Sequence, residues 1–321
     1  MAPVDLLGES GTREEECQAL TRCLIAACRT RVQVPFTGRY INLDRSTERR
    51  ARLEKQLRVL GIEQAYSRFS AVDGSRLAPG PRAISHREYA CFASHVQLLK
   101  EARSTLAHLH VLEDDALLSP EFVPVTSQLI DQGVLDEYDL VYTDIFVSWD
   151  PLQIAALERA RRRNTDVDPR TGQESLTGVS IFDLHRKGLA CTSSYLVSQR
   201  SLARVTELLE GAMVAGATKP VDLVLRDLVD SGVLKAACIV PFVTSVALEL
   251  ATGSTIHGDV VGPELARLAC TVVRHTFFVR PDWAMIDRIL ERYFPPGEVT
   301  PRRRAVGRIM NFFVSGNAQS F

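Results

Sequence analysis

Three consecutive carboxylates, Glu113, Asp114 and Asp115, interrupt an otherwise apolar stretch of the sequence. Leu109 to Leu112 has the length and composition of a buried strand, and Ser119-Pro120 is typical of a helix start. The acids are therefore expected at the C-terminal edge of a strand, where ligands bind in open α/β sheets. Adjacent negative charges resist burial unless a cation such as Mg²⁺ or Mn²⁺ compensates them. The alternative is a solvated turn whose acids cap the next helix.

Other chemically capable residues lie at strand ends and helix starts. Asp144 is a single acid within an apolar run, so it must be paired or face a site. Asp222 follows Pro220 in the first turn of a predicted helix. His257 is flanked by glycine-containing sequence at the end of the core, from where it could return to the acidic cluster.

The elements that position these residues form a series of βα units. Strand patterns at 38–43 and 66–72 end beside polar turns, the second at Asp73-Gly74. Ser46 is a suitable N-cap for a helix that ends at Gly61. Ser85 and Glu88 form a capping box for a helix in which His95 is either a core residue or a wall of the site. Further strand patterns follow at 109–112, 138–147, 190–198, 236–240 and 242–248. This order predicts an α/β fold with a mainly parallel sheet flanked by helices.

Three segments outside this series have their own character. Residues 148–187 contain a helix pattern and a polar stretch, which predicts either a mobile excursion that carries specificity or a solvated insertion. Residues 12–30 predict a helix on the outside of the domain. The last fifty residues are helical and basic, and their apolar face either packs on the domain or rests on an anionic membrane surface. The predicted division is 1–35, 36–260 and 261–321.

Composition bounds the function. The chain has 321 residues, 45% of them hydrophobic, and a formal net charge of -1, so no global charge indicates a nucleic-acid partner. The seven cysteines include no Cys-x-x-Cys pair, which disfavours a zinc site or a disulfide framework, and none is assigned chemistry. No signal peptide or spanning helix is indicated, so a cytoplasmic protein is expected.

Seven short blocks, taken together and in order, resemble glycosyltransferase family 25, which includes bacterial lipooligosaccharide galactosyltransferases and collagen galactosyltransferases. The blocks are Tyr40 to Ser46 with Glu48 to Arg50, Phe69 to Gly74, Ala93 to His95, Val111 to Asp115, Ser194 to Val197, Pro220 to Asp222, and Ser254 to Ile256. The resemblance implies a GT-A-like, Rossmann-like fold, a UDP-sugar donor, Mn²⁺ or a similar ion, and hexose transfer with inversion. It maps the family's acidic motif onto Glu113, Asp114 and Asp115, and it implies a saccharide or another hydroxyl-bearing acceptor, as in lipopolysaccharide biosynthesis.

Roles follow for individual residues. Asp115 is the expected principal metal ligand, with Glu113 as a second ligand or ribose contact and His257 as a returning ligand. Asp222 is the preferred general base and Asp144 the second candidate. Arg45, Arg49 and Arg50 are candidates for the diphosphate or for structural ion pairs. The donor-binding residues are predicted to be Asn42, Arg45, Asp73, Gly74, His95 and Asp114.

Two other functions stay open. A metal-dependent nucleotidyl or phosphoryl transferase also needs clustered acids, but the chain lacks the Gly-rich phosphate-binding loops of those enzymes. A catalytically inactive transferase fold could serve as a binding scaffold.

Overall fold

A computed structural model describes residues 34–77, 83–147, 150–171, 174–250, 261–293, 297 and 300–314. The predicted helix at 12–30 and the predicted metal ligand His257 lie outside the described residues.

Eleven strands and ten α-helices lie within these ranges. The strands are β1 (Phe36–Asn42), β2 (Tyr66–Ser70), β3 (His108–Glu113), β4 (Ala116–Leu118), β5 (Leu140–Tyr142), β6 (Thr165–Val167), β7 (Glu174–Leu176), β8 (Ser180–Asp183), β9 (Ser194–Val197), β10 (Ala236–Val240) and β11 (Thr244–Val246). The helices are α1 (Thr47–Val59), α2 (His86–Ala102), α3 (Phe122–Asp131), α4 (Val134–Glu137), α5 (Pro151–Arg163), α6 (Leu202–Val214), α7 (Val221–Asp230), α8 (Val261–His275), α9 (Trp283–Tyr293) and α10 (Pro301–Val314).

A seven-stranded sheet organises the fold in the order β2-β1-β3-β9-β5-β10-β8. β1 pairs in parallel with β2 and with β3, and β5 pairs in parallel with β10. β9 runs antiparallel between β3 and β5, and β8 runs antiparallel along the free edge of β10. Five of the seven strands therefore point the same way, which confirms the predicted α/β class with a mixed, mainly parallel, Rossmann-like sheet.

The two faces of the sheet each bury a separate hydrophobic core. Alternate residues of β3 face opposite sides, so Val111 packs with α2, α6 and α7, whereas Leu112 packs with α1 and α3. The central strands β9 and β10 are buried along their whole length. Burial on both faces explains why these strands read as continuous apolar runs in the sequence.

The segment after the acids differs from the prediction. Ala116 to Leu118 forms strand β4, which pairs antiparallel with β11. Helix α3 begins only at Phe122, with Glu121 and not Ser119 at the N-cap position. Ala116 and Leu118 are buried, and this burial favours a strand over a helical first turn. Glu113 therefore ends β3, and Asp114 and Asp115 lie between β3 and β4, so none of the three acids caps a helix.

The described residues of the segment 148–187, namely 150–171 and 174–187, pack on the domain through α5 and β8. α5 buries Ile154 and Leu157 in the core, and β8 supplies the edge strand of the main sheet. The Asn164 side chain ties the end of α5 to β8 through a 2.8 Å hydrogen bond to the Ser180 hydroxyl. The buried apolar residues of α5 determine how it packs. The polar sequence of the β6–β7 hairpin, which follows α5, makes the whole segment resemble a solvated loop.

The described part of the C-terminal segment contains the three helices α8, α9 and α10, which agrees with the predicted helical character. Phe277, just after α8, packs in the core, and α10 lies against α5. On α10, Val306 and Ile309 are exposed, and contact of this helix with an anionic membrane surface stays a prediction. Among the described helices, none combines the length and the apolar character that crossing a membrane requires.

Candidate active site

A cleft of about 460 Å³ opens at the C-terminal ends of β1, β2 and β3. All eight predicted donor- or metal-binding residues that the structure describes line it: Asn42, Arg45, Asp73, Gly74, His95, Glu113, Asp114 and Asp115. These residues come from four separate stretches of chain. Parallel pairing of the three strands brings their carboxyl ends to one edge, and this explains why the residues converge.

The wall next to β2 is a tight turn. The Asp73 carboxylate accepts hydrogen bonds from the Ser75 amide at 2.9 Å and the Ser75 hydroxyl at 2.7 Å. These bonds and the Arg45 guanidinium hold the pKa of Asp73 below its usual range. A Cβ on Gly74 would lie 2.8 Å from the His86 carbonyl oxygen, so only glycine lets this turn approach the start of α2.

Asp114 and Asp115 form the turn between β3 and β4, and α1 supports its backbone. Arg52 donates to the carbonyl oxygens of Asp114 at 3.3 Å and Ala116 at 2.9 Å. Gln56 donates to the same Ala116 oxygen at 3.0 Å. These bonds support the backbone of the turn, and the side chains of the three acids have different environments.

The Asp114 carboxylate is held by the protein itself. Asn42 donates to Oδ2 at 2.8 Å, and Arg49 pairs with Oδ1 at 3.2 Å. Arg68 donates to the Asn42 amide oxygen at 3.0 Å, which fixes the orientation of that amide. Burial raises the pKa of Asp114, and the bonds from Asn42 and Arg49 oppose this rise.

Glu113 is also compensated, from the opposite side of the cleft. Its Oε1 lies 3.3 Å from His95 Nε2 and accepts a 2.8 Å hydrogen bond from the Thr192 hydroxyl. Burial opposes ionisation of Glu113, but His95, Thr192 and Arg274 outweigh it, so the pKa of Glu113 falls below its usual value. Glu113 is therefore a carboxylate at neutral pH.

Asp115 differs from both neighbours because its buried Oδ1 has no hydrogen-bond partner among the described residues. Burial, together with the charges of Glu113 and Asp114, raises the pKa of Asp115 to about 7. A buried carboxylate oxygen without a partner is costly unless a cation approaches it. The donor set of Asp115 and Glu113 therefore fits a hard divalent ion, which takes oxygen ligands.

The three candidate arginines have different surroundings. Arg45 forms an ion pair with Asp73 across the cleft, and its side chain is 54% exposed. Arg49 also lines the cleft. Arg50 instead donates to Glu54 at 2.8 Å and is not part of the lining, so its surroundings favour the structural ion pair over a phosphate contact.

The two candidate bases are placed differently. Asp222, at the start of α7, accepts a 3.2 Å hydrogen bond from the Cys191 amide. It does not line the cleft, but its charge helps to raise the pKa of Cys91, which does. Asp144 is 1% exposed and is neutralised by an ion pair with Arg274. A buried, paired carboxylate cannot take a proton from a substrate in the cleft, so the geometry disfavours Asp144 as a base.

Cys91, to which the sequence analysis assigns no chemistry, belongs to this site. The Cys91 thiol, the His95 ring and the Glu113 carboxylate each place one ligand atom within 4.8 Å of the other two. Cys91 and His95 are four residues apart on α2, and this spacing was the available signal.

Thr192 and Arg274 gave no such signal. Arg274 Nη1 donates to the Cys191 sulfur at 3.2 Å, and its Nη2 to the Ser193 hydroxyl at 2.5 Å. Cys191 has a φ of 86°, which non-glycine residues rarely adopt. The bond from Arg274 to the Cys191 sulfur and the bond from Thr192 to Glu113 hold this strained backbone in place.

Comparison with known proteins agrees with this geometry. The profile of Glycosyltransferase family 25 (LPS biosynthesis protein) matches residues 38–225, more than half of the chain. The chain belongs to glycosyltransferase family 25. The matched region contains every described site residue named above except Arg274, which lies beyond it on α8.

Two family 25 relatives come from insects. A Glycosyltransferase 25 family member from Drosophila melanogaster is 32% identical over 122 residues, covering 32% of this chain and 20% of that protein. A protein of the same name from Drosophila pseudoobscura pseudoobscura is 30% identical over 122 residues, covering 32% of this chain and 19% of its own. The matches thus span about a fifth of these relatives.

Proposed function

We propose that this family 25 protein is a metal-dependent glycosyltransferase that moves a hexose from a UDP-sugar to a hydroxyl group of a saccharide or another acceptor, with inversion at the anomeric carbon. Family membership supports glycosyl transfer in general. One observation supports metal dependence: the buried Oδ1 of Asp115 has no hydrogen-bond partner among the described residues, and Asp115 lines the cleft at the C-terminal ends of β1, β2 and β3.

Asp115 and Glu113 would hold the ion, Mn²⁺ or Mg²⁺, and His257 stays a predicted third ligand. When bound, such an ion stabilises the negative charge that develops on a departing diphosphate. Asp114 takes a different role in this proposal, because Asn42 and Arg49 already occupy both of its oxygens. It keeps the acidic turn in register with β1 and α1, and its neighbours form the floor of the donor pocket.

The nucleotide part of the donor fits the side of the cleft between β1 and β2. Asp73 can accept hydrogen bonds from ribose hydroxyls, as acids after strands do in dinucleotide folds. Arg45 is exposed enough to exchange its ion pair with Asp73 for a phosphate oxygen. Gly74 lets the turn that carries Asp73 pack against the start of α2.

Asp222 is the proposed general base. It does not line the cleft, but its charge reaches Cys91, which does, so the acceptor would enter on the Cys91 side. The acceptor oxygen forms a bond to the anomeric carbon, its proton passes to the Asp222 carboxylate, and UDP leaves with the electron pair of the broken bond. Proton transfer of this kind contributes about 10² to 10⁴-fold to a rate. We expect Asp222→Asn to lower kcat by that factor, while the KM for the donor changes little.

The decisive experiment measures UDP release from a panel of UDP-sugars, with acceptor mixtures, in the presence and absence of Mn²⁺. Asp115→Asn is compared with Asp287→Asn, which makes the same change at an exposed position on α9. The proposal expects one donor to be turned over only with metal, by wild type and Asp287→Asn but not by Asp115→Asn.

Calorimetry with UDP distinguishes the possible reasons for a lack of UDP release. UDP binding without turnover of any donor would indicate a binding scaffold, and absence of UDP binding with and without Mn²⁺ would refute the proposed function. Release of diphosphate from a nucleoside triphosphate would indicate a nucleotidyltransferase.

A further inference from the structure

The side chains of Cys91, His95 and Glu113 form a second group of ligand atoms beside the acidic turn. Cys91 and His95 lie one turn apart on α2 and face the end of β3, where Glu113 projects. One ligand atom from each lies within 4.8 Å of the other two, and His95 Nε2 is 3.3 Å from Glu113 Oε1. A tetrahedron with metal–ligand bonds of about 2.0 to 2.3 Å has edges of about 3.3 to 3.8 Å. The separation of His95 Nε2 and Glu113 Oε1 matches such an edge, and the Cys91 sulfur lies within 4.8 Å of both ligand atoms.

The surroundings of these ligands are already oriented. His95 Nδ1 lies 2.9 Å from the hydroxyl of Tyr195, which leaves Nε2 directed towards Glu113. The Thr192 hydroxyl donates to Glu113 at 2.8 Å. Metal-binding histidines and carboxylates are commonly fixed by such partners, because these set the ring orientation and strengthen the ligand. His95, Tyr195 and Thr192 are all buried, so this arrangement is rigid.

We propose that Cys91, His95 and Glu113 bind a thiophilic divalent cation of the Zn²⁺ class, at a position distinct from the hard-metal site centred on Asp115. A thiolate and an imidazole favour Zn²⁺ over Mn²⁺, whereas the oxygen ligands of Asp115 favour Mn²⁺. All three ligands line the cleft, so a fourth, open coordination position would face it.

Binding requires the thiol to lose its proton. When Zn²⁺ binds, a sulfur–zinc bond forms and one proton passes from the thiol to solvent. Occupancy therefore increases as pH rises.

The site has a consequence for catalysis, and this consequence rests on the proposed function. Glu113 belongs to both ligand sets, so a zinc ion on Cys91 and His95 withdraws it from the ion held by Asp115. We therefore expect Zn²⁺ to inhibit the transferase and excess Mn²⁺ to relieve the inhibition only partly.

The test uses Co²⁺ as a spectroscopic probe on the purified full chain, without donor or acceptor. A Co²⁺–thiolate bond gives an intense near-ultraviolet charge-transfer band, and Zn²⁺ should abolish it at one equivalent. Cys91→Ser should remove the band and weaken Zn²⁺ binding by more than about 100-fold, because loss of a ligand exceeds the 10 to 100-fold effect of losing an outer partner. Cys270→Ser, a half-buried thiol on α8, is the matched control and should keep the band.

Two outcomes would overturn the proposal. One is a band that is absent from wild type or that survives Cys91→Ser. The other is a band that disappears in Asp115→Asn, because the thiophilic ion would then depend on the acidic turn. Since the band is read without any sugar donor, failure of this site and failure of the transferase proposal give different results.

Discussion

Replacing Arg274 with methionine isolates a buried charge in the centre of the fold. The Asp144 side chain is fully buried and Arg274 is 7% exposed, so their ion pair has almost no access to solvent. Met fills much of the volume of the Arg stem but leaves the Asp144 carboxylate without its cation. Removing one partner of a buried pair costs about 3 to 5 kcal/mol, because an uncompensated charge remains in a medium of low polarity.

The matched control is Arg280→Met. Arg280 pairs with Glu121, but its side chain is 57% exposed, so solvent screens the interaction and its loss should cost at most about 1 kcal/mol. Urea unfolding of both variants, compared at constant m-value, gives the two changes in the free energy of unfolding. The double variant Arg274→Met/Asp144→Asn should recover most of the loss, since it removes the charge as well as its partner.

The pH dependence gives a second measurement. Burial already raises the pKa of Asp144, and Arg274 opposes that rise. Without Arg274, the pKa of Asp144 in the folded chain lies further above its ordinary value of 3.8 in the unfolded chain. The folded chain then keeps a proton that the unfolded chain has released, so the variant is most stable at low pH and loses stability as the pH rises. Equal losses in Arg274→Met and Arg280→Met, or a flat difference across pH, would refute the reasoning.

Two further predictions concern the sheet. Gly38→Ala should lower the free energy of unfolding by about 1 to 3 kcal/mol, because the new Cβ would lie 2.3 Å from a Tyr66 ring atom; Gly211→Ala, with nothing within 4 Å, should be neutral or stabilising in the same urea assay. Burial lowers the pKa of His110 from 6.5 to about 3. Between these values the unfolded chain binds a proton at His110 and the folded chain does not. The free energy of unfolding therefore decreases as the pH is lowered below 6.5, by at most about 1.4 kcal/mol per pH unit. His110→Gln should reduce that slope by about one proton; an unchanged slope would show that His110 is not the responsible group.

Sequence reasoning succeeded where a local pattern carries the information. The capping box is present, with Glu88 accepting from the Ser85 amide at 2.8 Å, and Gly61 has the positive φ that ends α1. The apolar run before Glu113 is a buried strand, and its position in a parallel sheet puts the acids at the cleft. These features depend on a few neighbouring residues.

The sequence could not show features that depend on pairing between distant parts of the chain. Nothing local distinguishes Arg274 from other basic residues of the C-terminal segment, yet it reaches Asp144 130 positions away. Likewise, β8 joins the sheet only because β10 offers it a free edge. The sequence alone does not reveal a role for Cys91, because its neighbour Glu113 lies on another element. The i, i+4 spacing of Cys91 and His95 is, on its own, ordinary for a helix.

The three adjacent acids should respond differently to the same substitution, because their partners differ. Asp114→Asn weakens the bonds from Arg49 and Asn42 and should lower the free energy of unfolding by about 1 to 3 kcal/mol. Asp115→Asn removes a carboxylate that is repelled by its two neighbours and whose buried Oδ1 has no partner among the described residues, so metal-free stability should stay the same or rise. Urea unfolding with EDTA and then with Mn²⁺ checks both: Mn²⁺ should stabilise wild type and Asp114→Asn by mass action, but not Asp115→Asn. Equal losses for the two variants in EDTA would show that the acidic turn behaves as one structural unit, and the assignment of Asp115 as the metal ligand would then lose its physical basis.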